Sequence, residues 1–172
     1  DTNVKGLLYV TRVVSGWMIR RGKGGHIVNL GSIAGTQAYE NGAVYCASKH
    51  AVHALSQGMR MDFLSHGIKV TEESGTIVYG EEFAVEERSF PMRMYYYPIP
   101  QSEFSTVRFH GDKKRAAEVY RGVEPLTGDD IAGIVAWVVS LPPHVNINDI
   151  EVMPLQQANA YMTFRKQESE TT

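Results

Sequence analysis

The chain has 172 residues, enough for one domain with a sizeable core, and its 17 basic side chains nearly balance 19 acidic ones. That balance leaves no basic stripe for nucleic acid, and no apolar run nears the roughly 20 residues a membrane span needs. A single cysteine, Cys46, excludes an intrachain disulfide, and with no signal-like start the composition reads as a reducing, cytoplasmic setting.

Residues 1–21 are predicted to be a helix, because Val4, Leu7, Leu8, Val14, Trp17 and Met18 recur at three- and four-residue steps with Lys5, Arg12 and Arg20 between them. The glycines at 22, 24 and 25 end it. They lead from a helix into a strand, the reverse of a dinucleotide loop, so they read as a turn and not as a phosphate cradle. Residues 26–30 form a short apolar run with β-branched members, suited to a parallel strand covered on both faces. Gly31 and Ser32 follow its carboxyl end, where open α/β sheets bind ligands. A nucleophile elbow requires Gly-x-Ser-x-Gly, but the central residue here is Ile33, which makes acyl transfer by Ser32 the weaker enzymatic reading. A hydroxyl capping a turn is the structural alternative.

Residues 37–42 are a polar loop and 43–65 a long helix, in which Ala47, Ala51 and Ala54 mixed with Val52, Leu55, Met59 and Phe63 predict close packing on another helix. Tyr45 and Lys49 lie four residues apart on it and stack on one face. A cation a few ångströms from a phenol favours the phenolate and draws its pKa from about 10 toward the working range, which makes Tyr45 a candidate general acid and base. Ser32, thirteen residues upstream, would bond the same substrate oxygen. His50 and His53 are one turn apart; with no third ligand nearby and no His-Glu-x-x-His pattern, they read as solvated or interface histidines and no metal is expected. Cys46 reads as a small buried thiol.

Gly67 closes this helix and residues 68–71 open the next strand. Residues 73–102 are atypical: 76–79 and 92–97 have strand character, punctuated by Gly80 and the prolines between 91 and 100. A hairpin without an evident partner, a substrate lid and a foreign segment all fit. Residues 116–121 read as part of a short helix. Thr127 is the expected N-cap of a helix whose apolar face carries Ile134, Val135 and Val138 and which Pro142 and Pro143 stop. Residues 144–154 complete the sheet, and 155–172 form a polar tail for which a frayed terminus is the plain reading.

Taken together, Ser32, Tyr45 and Lys49 resemble the active site of the short-chain dehydrogenase/reductase family, where a Ser and a Tyr-x-x-x-Lys pair act with an Asn. Asn3, in Thr2-Asn3-Val4-Lys5-Gly6, stands at the family's Asn position. The resemblance implies a catalytic set of Asn3, Ser32, Tyr45 and Lys49, with Tyr45 and Lys49 also touching the cofactor. Residues 104–112 and 144–154 are similar to a narrower branch, the NADP-dependent 3-hydroxy acid dehydrogenases, also described as serine or allo-threonine dehydrogenases. From the resemblance follow NADP as cofactor, with NAD the alternative, a small 3-hydroxy acid or similar alcohol or carbonyl as substrate, and a homo-oligomer, a tetramer in the family. The helices at 1–21 and 43–65 would form the subunit interface, and the tail would begin like an arm packed on a neighbouring subunit.

The resemblance covers about 1–71 and 103–166, and implies an α/β fold: one incomplete domain, the second half of a Rossmann-like doubly wound parallel sheet. The family's N-terminal dinucleotide-binding strands and Gly-rich turn would precede the position of Asp1, and its Pro-Gly turn after the second strand has no counterpart. A half-fold serving as an oligomerisation module is the non-catalytic alternative. Apolar strand edges left without neighbours predict that the chain is not a stable monomer.

Overall fold

A computed structural model describes residues 1–75, 78–79, 105–106 and 109–166. Helix α1 (Leu7–Arg21) leads into strand β1 (Gly25–Leu30), followed by helix α2 (Ala43–Asp62) and strand β2 (Ile68–Gly75). Two-residue strand β3 (Val78–Tyr79), helix α3 (Lys113–Glu118), strand β4 (Leu126–Thr127), helix α4 (Gly128–Ser140) and strand β5 (Asp149–Val152) complete the order. The main sheet runs β1-β2-β5, all parallel, from Gly25 opposite Ile68 to Leu30 opposite Glu73 and from Glu72 opposite Asp149 to Gly75 opposite Val152. This is the α/β architecture expected, the second half of a Rossmann-like parallel sheet.

The two-residue period of the strands sorts their side chains into two layers. Asn29 and Glu72 face α2, where they bond Ser56 (2.9 Å) and His53 (2.9 Å). His26, Lys69 and Thr71 face the other way, and Lys69 Nζ donates to the carbonyls of Leu141 and Val145 just past α4. The sheet is thus held between α1 and α2 on one side and the α4 region on the other. Val70, Val138, Cys46 and Val52 are among the most buried side chains.

Helix α1 starts from a wider π turn, Thr2–Gly6, and ends at Gly22, whose φ of 61° suits glycine. Its inward face is not the predicted stripe. Thr11 and Ser15 are buried, while Leu8 and Trp17 are 42% and 49% exposed. Thr11 lies against Met59 of α2, so the small polar residues sit where the helices approach and the large apolar ones point away. On α2 the alanines are likewise not the packing face: Cys46, Val52, Ser56 and Met59 are buried, and Ala47 and Ala54 are exposed. The helix stops at Asp62 and tightens into a 3-10 turn, Leu64–His66, before Gly67. The glycine turn after α1 is a close backbone approach, since a Cβ on Gly24 would lie 2.5 Å from the Gly67 carbonyl oxygen.

Strand β2 runs four residues past the expected Thr71 and buries Glu72 and Glu73. The strand-like stretch that follows has a partner after all: β3 pairs in parallel with β4, so the hairpin expectation is replaced there, while residues 92–97 lie outside the described residues. Helix α3 begins at Lys113, earlier than expected, because the Asp112 side chain accepts from the Arg115 amide. Thr127 caps α4 through a full capping box with Asp130. Leu141 is extended before Pro142, as a residue preceding proline should be.

The tail is not frayed through Lys166. Gln156 bonds the Gly122 carbonyl (2.9 Å), and Arg165 Nη1 donates to the carbonyls of Glu118, Val119 and Arg121. Further along the loop after β1, the Ala160 amide donates to Gln37 Oε1 and the Tyr161 hydroxyl to the Ala38 carbonyl. Among the described residues these contacts fasten the tail to its own chain.

Candidate active site

The carboxyl ends of β1 and β2 and the first two turns of α2 meet at one end of the sheet. Lys49 Nζ donates to the carbonyl oxygens of Leu30 (3.1 Å) and Gly31 (2.9 Å), the last residue of β1 and the residue before Ser32. A Cβ on Gly35 would come within 2.9 Å of the Lys49 carbonyl oxygen, so the 3-10 turn carrying Ser32 lies directly on α2 at this position. Tyr45 is on the same helix face, with its ring centroid 5.9 Å from Lys49 Nζ. Ser32 is 8% exposed, and its hydroxyl oxygen accepts from the Ala34 amide at 3.2 Å, the turn-capping role, which leaves its own O–H proton available as a donor.

Asn3 joins the site through the helix rather than through the amine. Its Nδ2 donates to Ser48 Oγ (3.1 Å), and Ser48 donates to the Tyr45 carbonyl (2.7 Å). Burial lowers the pKa of Lys49 from its ordinary value, while the carboxylates of Glu72 and Glu73 act to hold it up. Burial thus works against the ammonium charge, and two neighbours of opposite sign support it.

Those two acids are what sequence reasoning missed. Glu72 is 1% exposed and accepts from His53 Nδ1 at 2.9 Å, with Asp149 Oδ1 4.0 Å from the same nitrogen and Arg60 Nη2 3.2 Å from Asp149. The reading of His53 as a solvated or interface histidine with no third ligand nearby is corrected here, since Glu72 and Asp149 both approach it. β2 and β5 bring two carboxylates to one helical histidine, and Arg60 pairs with that of Asp149. A Cβ on Gly31 would collide with Glu72 Oε1 and Ser74 Oγ, so a larger residue at the strand exit would displace those side chains. Glu73, 4% exposed on the opposite face, has a carboxylate oxygen without a hydrogen-bond partner among the described residues. Cys46 is the buried thiol expected. His50 is exposed, and its Nδ1 lies 2.9 Å from the Cys46 carbonyl oxygen.

Residues 1–81 match the family described as short chain dehydrogenase. The match covers just under half of the chain. Beyond it, the similarity of this chain to curated proteins continues almost throughout. It is 38% identical over 166 residues to the NADP-dependent 3-hydroxy acid dehydrogenase of Salmonella typhi, which covers 96% of this chain and 58% of that protein. It is 40% identical over 167 residues to a probable NADP-dependent dehydrogenase of Haemophilus influenzae, covering 97% and 58%. Among solved structures it is similar to the closed form of a serine dehydrogenase complexed with NADP+, with a TM-score of 0.77 and 38% identity over 97% of this chain and 58% of that one. The chain thus spans a little over half the length of the relatives it matches.

Proposed function

We propose that this short-chain dehydrogenase chain carries the proton-handling half of an NADP-dependent oxidoreductase that interconverts a small 3-hydroxy acid, or a similar alcohol, with its carbonyl. The observation that supports this reading best is the seat of Lys49 on the Leu30 and Gly31 carbonyls, beside Ser32 and one turn from Tyr45. NADP, and NAD as the alternative, suits the donor set found here: two of the three ammonium N–H groups of Lys49 are spent on carbonyls, and the third remains for a ribose hydroxyl. When bound, the nicotinamide supplies or takes up hydride at the substrate carbon.

Tyr45 gives a proton to the substrate oxygen during reduction and takes it back during oxidation. Lys49 places a positive charge beside the phenol and so stabilises the phenolate left by that transfer. The Ser32 hydroxyl donates to the same substrate oxygen and fixes its direction. Asn3, through Ser48 and the Tyr45 carbonyl, ties the start of α1 to the turn of α2 that presents the tyrosine. The choice of 3-hydroxy acid over other alcohols leans on the names of the relatives.

Self-association is part of the same reading. Tyr9, Val10 and Val13 on the outer face of α1 are 67%, 63% and 72% exposed, a contiguous apolar surface of the kind an interface covers. No helix among the described residues is long and apolar enough to cross a membrane. Small-molecule substrate and a second copy are the partners proposed, in a cytoplasmic setting.

The deciding experiment is NADPH titration of the chain to measure binding, followed by NADP+-dependent oxidation of 3-hydroxypropionate, hydroxyisobutyrate and serine, repeated with Tyr45→Phe. Cofactor binding in both, with turnover reduced at least about 100-fold in the variant, is expected. An absence of cofactor binding at millimolar NADPH would favour the oligomerisation module instead.

A further inference from the structure

One acid at the carboxyl end of β2 has no part in the chemistry above. Glu73 is 4% exposed, and a carboxylate oxygen of its side chain has no hydrogen-bond partner among the described residues. A buried polar atom left unmatched is destabilising, so its position asks for a compensating role. The strand register supplies one. Glu73 stands opposite Leu30, whose carbonyl receives Lys49 Nζ, and the Glu73 carbonyl itself accepts from the Gly31 amide at 2.6 Å. The carboxyl group and the ammonium are thereby mounted on two adjacent strand ends.

We propose that Glu73 is a positioning residue for Lys49, a buried carboxyl that sets how much of the amine's charge reaches the reaction site. This rests on the reading of Lys49 given above. Protonated, Glu73 is neutral and leaves the ammonium's field to the phenol. Ionised, it opposes that field from the far side of the strand ends and weakens the support given to a phenolate.

The charged groups around Glu73 decide the pH at which it changes state. From α2 comes Lys49; from its own strand comes Glu72, which is paired to His53 and lies near Asp149 of β5 and, through it, Arg60. Opposite on β5 is the apolar Ile150, and β1 contributes the backbone of Leu30 and Gly31. Lys69 and His26 share its face of the sheet but lie toward the other end of the strands. Burial raises the carboxyl most, Lys49 pulls it down and Glu72 raises it, to about 7. The group therefore changes charge at neutral pH, where an ordinary glutamate is already ionised.

The test uses the full chain labelled with carbon-13 at glutamate carboxyls, with the Glu73 signal assigned by its loss in Glu73→Asp. The signal should titrate near pH 7, and Lys49→Met should move its midpoint upward by about half a pH unit or more, since a favourable counter-charge is gone. In the pH profile of NADPH-dependent reduction, an inflection near pH 7 should disappear in Glu73→Gln and return in Glu73→Asp. Titration in the ordinary carboxylate range, or a midpoint that ignores Lys49→Met, overturns the proposal. If no preparation turns over, the oxidoreductase reading fails, and the titration still decides whether Glu73 and Lys49 are coupled.

Discussion

The two ends of the β1-β2 pair each bury one titratable side chain on the same face of the sheet, and the two have different neighbours. At the amino end, His26 Nε2 lies 2.8 Å from Thr71 Oγ1, and Thr71 passes its own proton to the Ile147 carbonyl at 2.6 Å. The imidazole must then donate from Nε2, which leaves Nδ1 as a buried acceptor without a partner among the described residues. Burial lowers its pKa, and the neighbouring Lys69 ammonium lowers it further, to about 4. Burial and charge push the same way, and His26 is held neutral across the physiological range. At the carboxyl end burial also favours the neutral form of Glu73, but Lys49 works against it, and the group is left near neutrality. The same solvent-poor sheet therefore locks one group and poises the other, because a neighbouring ammonium repels an imidazolium but attracts a carboxylate.

That contrast is most sharply tested by removing each cation. Lys49→Met should cut turnover at least about 100-fold, whereas Lys69→Met, at the far end, should leave turnover within about twofold in whatever fraction folds. The same pair should raise both titrations, because a cation disfavours an imidazolium and favours a carboxylate: His26 should move up from about 4 in Lys69→Met, read from its ring resonances. No movement of His26 would remove the charge half of the comparison.

A smaller effect is expected where α2 is pinned to the carboxyl end. His53→Ala leaves Glu72, 1% exposed, without its nitrogen partner and should cost about 2 kcal/mol by urea unfolding at pH 7. An unchanged midpoint would mean that Glu72 finds another partner at no cost.

Stability against pH follows from the same two groups, with opposite signs. The unfolded chain protonates His26 below its ordinary 6.5 while the folded chain resists until about 4, so this contribution is present above 6.5 and is lost as pH falls to 4. The folded chain keeps the Glu73 proton to about 7 while the unfolded chain releases it near 4.5, so that contribution is present below 4.5 and is lost as pH rises to 7. Between 4.5 and 6.5 the two slopes oppose each other. Glu73→Gln should gain stability relative to the parent as pH rises through that window, and His26→Gln should gain as pH falls through it; chemical unfolding from pH 4 to 8 reads both. The smallest change belongs to Thr127→Ala, remote from either end, which removes the α4 cap and should cost about 1 kcal/mol with the rate untouched.

Much of the site was readable before any coordinates because its parts are local. Tyr45 and Lys49 share a face by helical spacing, Ser32 follows a strand, and Thr127 and Gly22 mark helix ends by their chemistry. The acids were not readable. A Glu-Glu pair followed by Ser-Gly resembles a loop by strand propensity, and only pairing with β1 and β5 keeps Glu72 and Glu73 in the sheet. The alternation of Lys69, Thr71 and Glu73 was the one available hint. The inward face of α1 was misjudged for a related reason: hydrophobic periodicity ranks Trp17 above Thr11, but the space between α1 and α2 admits the smaller residue.

The amino-acid sequence by itself determined the order of helices and strands, the phenol and amine on one helical face, and the family that residues 1–81 match, because each depends on spacing within a few turns or on a short pattern. Tertiary structure decided which charges meet. His53 with Glu72, Lys49 with the strand-end carbonyls and Gln37 with the amide of Ala160 are separated by 18 to 123 residues. Electrostatic energy depends on distance through space and on exclusion of water, and neither is written along the chain until the sheet has assembled.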